Sequence, residues 1–305
     1  GPETVVNRTG KGRTMTQETN VNRLMNCWFS ETSDVWPGIA LSIEIEKTLF
    51  SKTSPFQQIE LFETRHHGRM LVLDGVIQLT DFDEFAYQEM LAHTPLFAHP
   101  APERVLVIGG GDGGILREIA RHEQVQTIDI CEIDEMVIQV SKQYLPGMGC
   151  GFDDPRVKVH IADGNEFIGD HPHEYDVIIV DSSDPVGPGE ILFEGPFYEH
   201  CRQALNKNGI LALQGESFFL HPDLVQKMMK RMKELFKIHA YSTFLVPTFT
   251  GGHIGICLGS KGPSVKTPGR KIPEKIQERL KFYTARVHEA AFVLPKFAEK
   301  LIEEA

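Results

Sequence analysis

The chain has 305 residues, a formal net charge of −11 and a hydrophobic content of 41%. This length suits one large domain, or a medium domain with a small companion, around an ordinary packed core. The acidic balance argues against nucleic acid as a partner, because nucleic-acid binding favours a basic surface, and it is compatible with a cationic ligand. No segment reaches the length of a membrane span, so no membrane association is predicted.

The cysteines are odd in number and form no C-x-x-C motif, which predicts reduced thiols in a cytoplasmic protein. They are Cys27, Cys131, Cys150, Cys201 and Cys257. The leading Gly1-Pro2 is typical of a protease remnant, and the expected natural start is Met15. Residues 1–14 are therefore expected to be a leader or tag outside the fold, and no signal peptide is predicted.

Residues 15–80 are predicted to form a small antiparallel β domain. Short apolar runs alternate with turn residues in the segments ALSIEIEKTLF, QQIELFET and RMLVLDGVIQLT. Within the last of these, Asp74-Gly75 is a hairpin signal because both residue types tolerate the backbone of a tight turn.

Residues 81–305 are predicted to form a larger α/β domain. It opens with DEFAYQEMLAHTPLF, whose apolar residues can line one face of a helix. Buried strands are predicted at RVLVIG, TIDICEI, VKVHIAD, DVIIVDSS and GILALQGE, with a late strand at HIGICLGS. Helices are predicted at GILREIARH, EMVIQVSKQYL, DLVQKMMKRMKELF and, last, HEAAFVLPKFAEKLI. This alternation predicts a doubly wound parallel sheet that binds its ligand at the carboxyl ends of the strands.

A glycine-rich turn, GGGDGG at 109–114, follows the strand RVLVIG. It fits the G-x-G-x-x-G fingerprint, and Glu132 stands where an acid would hold ribose hydroxyls, so either a dinucleotide or an adenosyl-sulfonium ligand is possible. The carboxylate of Asp112 would repel a pyrophosphate and attract an ammonium, which favours the second ligand. A purely structural role for Asp112 at the helix start is compatible with the same pattern.

Further acids follow neighbouring strands. Asp163-Gly164 comes after VKVHIA, and both Asp181 and Asp184 come after DVIIV. Any one of them could be a cap or a solvated group, but together they predict a negatively charged crevice at the switch point of the sheet. A metal site is disfavoured because the spacings match no metal-binding loop.

Several segments resemble the spermidine synthases of the eukaryotic type. They include CWFSE, VWPGIALSIEIEK, LVLDGVIQLTDFDEFAYQEM, VLVIGGGDGGILREI, CEIDEMVIQVSKQYLPGM, DVIIVDSSDPVGP, PTFTGGHIGICLGSK and HEAAFVLPKFA. The resemblance implies a Rossmann-like, methyltransferase-type catalytic domain in a cytoplasmic homodimer. It also implies aminopropyl transfer from decarboxylated S-adenosylmethionine, a co-substrate, to putrescine, without cofactor or metal.

The resemblance also implies residue roles at the donor. Donor-binding positions are Gln57, Gln88, Asp112, Glu132, Asp163 and Gly164. Asp112 is expected to hold the donor ammonium, Glu132 the ribose, and Asp163 with Gly164 the adenine edge.

At the acceptor, the resemblance implies a diamine site and a base. Diamine-binding positions are Trp28, Tyr87, Asp184, Glu216 and Phe249. Asp184 is expected to be the general base, aided by Tyr87, and Glu216 is expected to hold the remote ammonium. The predicted catalytic residues are thus Asp184, Tyr87 and Asp181. From its position directly at the strand end, where backbone N–H groups can hold it, Asp181 is expected to stay ionised and weakly basic. Phe249 stands where the family usually has tyrosine, which puts one polar contact to the diamine in question.

Other functions remain open on the sequence. Putrescine N-methyltransferase shares GGGDGG and DSSDP but uses ordinary S-adenosylmethionine, while a nicotinamide-dependent dehydrogenase could use the same fold. Spermine synthase is disfavoured because no room is left for an extra N-terminal domain. A catalytically idle, nucleoside-binding regulator is disfavoured because Asp112 and Asp184 are both present. The segment 182–194 is expected to be either a closing lid or a plain surface loop.

Overall fold

The computed structural model describes residues 27–182 and 195–305. The predicted leader lies outside the described residues, and so does the segment 183–194 with the predicted base Asp184. Within the described ranges the chain builds two sheets, and a helix follows the first sheet and precedes the second.

The first sheet has five antiparallel strands in sequence order. They are β1 (Trp28–Thr32), β2 (Ala40–Thr53), β3 (Gln58–Thr64), β4 (Arg69–Leu73) and β5 (Val76–Thr80). The β4–β5 hairpin turns through Asp74 and Gly75, whose φ angles of 48° and 80° are those a tight hairpin needs. The predicted antiparallel unit is therefore confirmed, with β1 as a strand that was not predicted.

The second sheet has seven strands in the order β11-β12-β10-β9-β6-β7-β8. They are β6 (Arg104–Gly109), β7 (Thr127–Glu132), β8 (Val157–Ile161), β9 (Tyr175–Asp181), β10 (Leu205–Gln214), β11 (Ile238–Leu245) and β12 (His253–Ser260). All neighbours pair in parallel except β12, which is antiparallel to both of its partners. The chain moves outward from β6 through β7 and then back to β9, so the switch point lies between β6 and β9. The predicted doubly wound, Rossmann-like sheet is confirmed.

Helices cover the sheets. They are α1 (Glu84–Ala98), α2 (Gly114–Ala120), α3 (Glu135–Tyr144), α4 (Pro146–Gly149), α5 (Gly164–Gly169), α6 (Gly195–Ala204), α7 (Pro222–Leu235), α8 (Glu274–Gln277), α9 (Ala285–Ala290) and α10 (Lys296–Glu303). Helix α1 is buried on all sides from Ala86 to Ala98. The prediction of a single apolar face was wrong here, because α1 lies in the core, where Gln88, Glu89 and His93 make hydrogen bonds to other segments.

Two further local predictions were wrong. Strand β8 is half-exposed, with Val159 and Ile161 open to solvent, because it is the edge strand and pairs with β7 alone. The predicted last helix is two helices, α9 and α10. Pro295 stands directly before α10, where a residue without a backbone N–H can start a helix but cannot continue one.

Candidate active site

The switch point brings the glycine-rich turn and the end of β9 into contact. Gly109 is paired with Asp181 across the parallel strands. Its φ is 77°, and a β-carbon added there would lie 2.1 Å from the Asp181 carbonyl oxygen. Only glycine allows so close an approach with a left-handed backbone. The turn that carries Asp112 is therefore pressed against the strand end that carries Asp181, and both carboxylates face one cleft.

Most of the residues predicted for the two substrates line this cleft. They are Gln57, Tyr87, Gln88, Asp112, Glu132, Asp163, Gly164, Asp181, Glu216 and Phe249. Trp28 is not among the described residues that line it, and it is 44% exposed. Side chains alternate along β1, so Trp28 faces away from the inward-facing Phe29 and Glu31. Trp36, which is 5% exposed, is the tryptophan that lines the cleft.

Asp112 is held by two donors. One of its oxygens accepts from the backbone N–H of Gly114 at 2.7 Å and from the Gln88 amide at 3.0 Å. Burial raises the pKa of Asp112, and Glu84 raises it further, while the Gly114 N–H and Arg117 oppose the shift. Asp112 therefore stabilises the start of α2 through the Gly114 N–H, and it also lines the cleft.

Glu132 ends β7 beside the glycine-rich turn. It accepts from the backbone N–H of Asp134 at 2.9 Å, and burial raises its pKa to about 7. Asp134, which the sequence analysis missed, accepts from the Gln57 amide at 3.0 Å and from the Ser54 hydroxyl at 2.6 Å. Asp134 therefore fixes the Gln57 side chain at the wall of the cleft.

Asp163 lies at the next strand end and caps helix α5. Its carboxylate accepts from the backbone N–H groups of Asn165 at 2.8 Å and Glu166 at 3.1 Å. Asp163 and Gly164 both line the cleft. Asp163 is therefore a helix cap, as the sequence analysis allowed, because one of its oxygens accepts the N–H groups of α5. The residue borders the cleft as well.

Tyr87 and Asp181 meet in the cleft at the end of β9, which lies between β6 and β10. The Tyr87 hydroxyl donates to Asp181 at 2.5 Å, and the Phe249 ring packs edge-on against Tyr87 with 5.7 Å between centroids. Burial raises the pKa of Asp181, repulsion from Asp112 raises it further, and the Tyr87 hydrogen bond opposes both. The expectation that Asp181 is weakly basic was wrong, because burial beside another acid outweighs its one strong donor.

Glu216 follows β10, which lies on the other side of β9 from the strand that leads into the turn at 109–114. It is 3% exposed and has a φ of 54°, a left-handed conformation that is costly for a non-glycine residue. Its carbonyl oxygen accepts from the Tyr241 hydroxyl at 2.6 Å and from the Gly255 N–H at 3.0 Å, which stabilises that backbone. Its carboxylate accepts from Gln214 at 3.2 Å and lies 3.3 Å from His221.

Comparison with known proteins assigns the chain to a family. The model described as "Spermine/spermidine synthase domain" matches residues 84–268, and that of the "Spermidine synthase tetramerisation domain" matches residues 27–81. A spermidine synthase from Dictyostelium discoideum is 48% identical over 92% of this chain and 99% of its own length. The chain belongs to the spermidine synthase family.

Other members of the spermidine synthase family give the same picture. The enzyme of Solanum lycopersicum is 47% identical over 93% of this chain and 85% of its own length. A crystal structure of a spermidine synthase in complex with the transition-state analogue AdoDATO has a TM-score of 0.86 and 35% identity, covering 95% of this chain and 99% of that chain. The Thermotoga maritima structure has a TM-score of 0.84 and 34% identity, with 95% and 98% coverage. The predicted membership and the aminopropyltransferase class are confirmed.

The sequence analysis missed several polar and aromatic residues of the cleft, among them Glu31, Trp36 and His221. Glu31 accepts from the Ile77 N–H at 2.6 Å and from the Thr250 hydroxyl, and burial raises its pKa. The alternation in CWFSE places Glu31 on the buried side of β1, which is a signal that could have found it. Trp36 packs edge-on against His221 at 5.7 Å, and the sequence gives no comparable signal for that contact.

The described residues, 27–182 and 195–305, contain neither a metal-type cluster nor a membrane-spanning helix. No cluster of histidine, cysteine and carboxylate side chains in these ranges has the arrangement of a metal site. No helix there is both long enough and apolar enough to span a membrane.

Proposed function

We propose that this chain transfers an aminopropyl group from decarboxylated S-adenosylmethionine to putrescine, giving spermidine and methylthioadenosine. The observation that carries the proposal is the row of buried acids along one cleft, with the Tyr87–Asp181 pair between Asp112 and Glu216. Both substrates are cations, and buried carboxylates bind cations more strongly than exposed ones because little solvent screens them.

The donor occupies the end of the cleft formed by the parallel sheet. Asp112, kept in place by Gln88, holds the propylammonium, and Glu132 with Gln57 holds the ribose. Asp163 with Gly164 borders the adenine. Asp112 selects the decarboxylated donor because its carboxylate attracts the ammonium and would repel an α-carboxylate.

The diamine occupies the end of the cleft around Glu216. Glu216 holds the ammonium that does not react, and Glu31 adds a second carboxylate to that end. Trp36 supplies the aromatic wall that was predicted for Trp28. Phe249 packs on Tyr87 and presents no hydroxyl to the diamine.

The transfer is a displacement at carbon. An alkylamine with a pKa near 10 is protonated at neutral pH and must lose a proton before its nitrogen can attack. The nitrogen then bonds to the propyl carbon next to the sulfonium. The carbon–sulfur bond breaks with its electron pair moving to sulfur, and the neutral thioether leaves.

Two carboxylates compete for the role of base. Asp184 was predicted for it, and that role stays a prediction because the residue lies outside the described ranges. Within them, Asp181 has the features a base requires: it borders the cleft, its pKa is raised, and the Tyr87 hydroxyl orients it. We propose Asp181 as the second candidate.

One experiment tests the proposed reaction against its alternatives. The protein is incubated with putrescine and either S-adenosylmethionine or its decarboxylated form, and the products are identified by mass spectrometry. Spermidine from the decarboxylated donor alone is the expected result. N-Methylputrescine from S-adenosylmethionine would identify a methyltransferase instead, and putrescine-dependent reduction of a nicotinamide would identify a dehydrogenase.

The assembly, the location and the absence of a cofactor complete the proposal. We infer a homodimer in the cytoplasm, while the family model matched by residues 27–81 is named for tetramerisation. Sedimentation equilibrium separates the two assemblies, and fluorescence microscopy of a tagged chain tests the location. No cofactor or metal is required by the displacement, so activity is expected to survive dialysis against a chelator.

A further inference from the structure

A half-buried cation, Arg117, lies on α2 next to the turn that carries Asp112. Arg117 donates to both oxygens of Glu84, at 2.9 and 2.8 Å, and to the Glu118 carboxylate at 2.9 Å. It also donates to the Gly147 carbonyl oxygen at 2.9 Å. The guanidinium thereby connects α1, α2 and α4, and its planar fork is suited to this because it makes several fixed hydrogen bonds at once.

We call Arg117 with its partners Glu84, Glu118 and Gly147 the clamp. The clamp lies one helical turn from both groups that hold Asp112. Glu84 is four residues before Gln88 on α1, and Arg117 is three residues after Gly114 on α2. Gln88 and Gly114 are the two hydrogen-bond donors to Asp112. A β-carbon added at Gly114 would lie 2.4 Å from the Gln88 side chain, so the two helices touch at this point.

Arg117 also affects the charge of Asp112. Burial raises the pKa of Asp112 and Glu84 on α1 adds to that, whereas Arg117 on α2 lowers it. Asp181 on β9 and Tyr87 on α1 interact with Asp112 as well. Because Arg117 is a cation among these acids, it favours the ionised form of Asp112, which is the form that binds an ammonium.

The second carboxylate of the clamp, Glu118, is held from the core. His93 lies 3.0 Å from its oxygen, His122 lies 2.8 Å from the other ring nitrogen of His93, and Arg270 donates to His122 at 2.8 Å. A guanidinium can only donate, so His122 accepts from Arg270 and donates to His93, which in turn donates to Glu118. The direction of these bonds assigns both tautomers and fixes Glu118 as the accepting carboxylate.

We propose that Arg117 is a positioning residue for the donor, holding Asp112 and Gln88 in the geometry and charge state that bind the aminopropyl ammonium. This inference rests on the proposed function. Arg117 is not among the described residues that line the cleft, so it acts on the donor through Asp112 and Gln88, which do line it. Methylthioadenosine lacks the aminopropyl chain, and its binding should be independent of Arg117.

The test is calorimetric titration of the protein with the decarboxylated donor and with methylthioadenosine, at pH 6.5 and pH 8.5. For Arg117→Gln, we expect about tenfold weaker donor binding at pH 8.5 and a larger loss at pH 6.5, since a shift of one pKa unit corresponds to tenfold. The affinity of Arg117→Gln for methylthioadenosine should stay within about twofold of the wild-type value. Arg117→Lys should restore the pH profile, because it keeps the charge, and only part of the affinity, because it lacks the fork.

Arg121→Gln is the matched control. Arg121 contacts the same Glu118 carboxylate, at 2.9 Å, and the Arg279 carbonyl oxygen. Its loss should leave the ratio of donor to methylthioadenosine affinity within about twofold of wild type. In an Asp112→Asn background, Arg117→Gln should cause little further loss of donor affinity, because the effects of substitutions at coupled residues are not additive.

The inference would be overturned if Arg117→Gln weakened the binding of both ligands equally. It would also be overturned if Arg121→Gln showed the same loss of donor affinity with methylthioadenosine binding unchanged. Either result would show that Arg117 acts on folding alone. Wild-type protein that binds methylthioadenosine but neither binds the decarboxylated donor nor forms spermidine would overturn the proposed function first and this inference with it. The wild-type arm therefore separates the two failures.

Discussion

The two ends of the cleft are built in different ways. At the donor end, Asp112, Glu132 and Asp163 each follow a parallel strand of one sheet, so the topology alone brings them to a common edge. At the diamine end, Glu31 comes from a strand of the other sheet and Glu216 from a strained position after β10. The donor end is thus a product of the fold, and the diamine end depends on contacts between distant segments.

The largest effect is expected at the centre, where the two ends meet. If Asp181 is the base, Asp181→Asn should lower single-turnover rates by about 10²–10⁴ with saturating substrates, because the amide cannot accept a proton. If Asp184 is the base, Asp184→Asn should do so instead. Rapid-quench measurement of both variants, with donor binding checked separately, distinguishes them. Near-normal turnover in both variants would contradict a carboxylate base from this segment.

The donor end should make folding stability depend on pH. The folded-state pKa of Glu132, about 7, lies above its ordinary value near 4.5. The folded protein therefore favours the protonated form, so this contribution is complete below pH 4.5 and is lost as pH rises through 7. Its upper limit is on the order of 3 kcal/mol. Urea unfolding of the ligand-free protein at pH 5 and 7.5 should show a smaller pH-dependent loss in Glu132→Gln. An equal loss in both proteins would contradict the burial argument.

The diamine end offers a matched pair of tryptophans. Trp36 is buried in the cleft, and Trp28 is half-exposed on the outer face of β1. Trp36→Leu should raise the KM for putrescine about tenfold by removing the aromatic wall of a cation site, worth roughly 0.5–2 kcal/mol. Trp28→Leu should change it less than about twofold. Steady-state kinetics with saturating donor checks both, and a larger effect at Trp28 would reverse the assignment.

The smallest effect is expected at Phe249. Phe249→Tyr would add a hydroxyl beside the diamine, and one neutral hydrogen bond is worth about 0.5–1.5 kcal/mol. The specificity constant for putrescine should therefore rise by up to about tenfold, with the KM for the donor unchanged. An unchanged or lower constant for putrescine would show that the site is shaped around the phenyl ring.

The difference between the two ends of the cleft also explains which site residues could be predicted from the sequence. Asp112, Glu132 and Asp163 could be located because a strand followed by an acid is a local pattern, and parallel strands then bring such acids together. The alternation in CWFSE places Glu31 on the buried side of β1, but its position in the cleft depends on contacts with Ile77 and Thr250, which are distant in sequence. Trp36 could not be located, because its contact with His221 leaves no local pattern in the sequence. The basicity of Asp181 was misjudged for a related reason, since its environment depends on burial and on Asp112 from another strand end.

Two errors in the fold have equally physical causes. The exposure of β8 follows from its position at the sheet edge, and strand order cannot be derived from the apolar content of a single strand. The all-round burial of α1 follows from its place between the sheet and the C-terminal segment. Its Glu89 accepts three backbone N–H groups of that segment, from Lys281, Phe282 and Tyr283, at 2.8–2.9 Å.

The most direct test of the two-ended cleft is a crossed kinetic measurement on Asp112→Asn and Glu216→Gln. Each substitution keeps the shape of its side chain and removes one charge-assisted contact, worth about 1.5–3 kcal/mol. Asp112→Asn should raise the KM for the decarboxylated donor by about 10- to 150-fold and leave the KM for putrescine within a few-fold, and Glu216→Gln should do the reverse. Equal effects of each variant on both substrates would contradict the division of the cleft into a donor end and a diamine end.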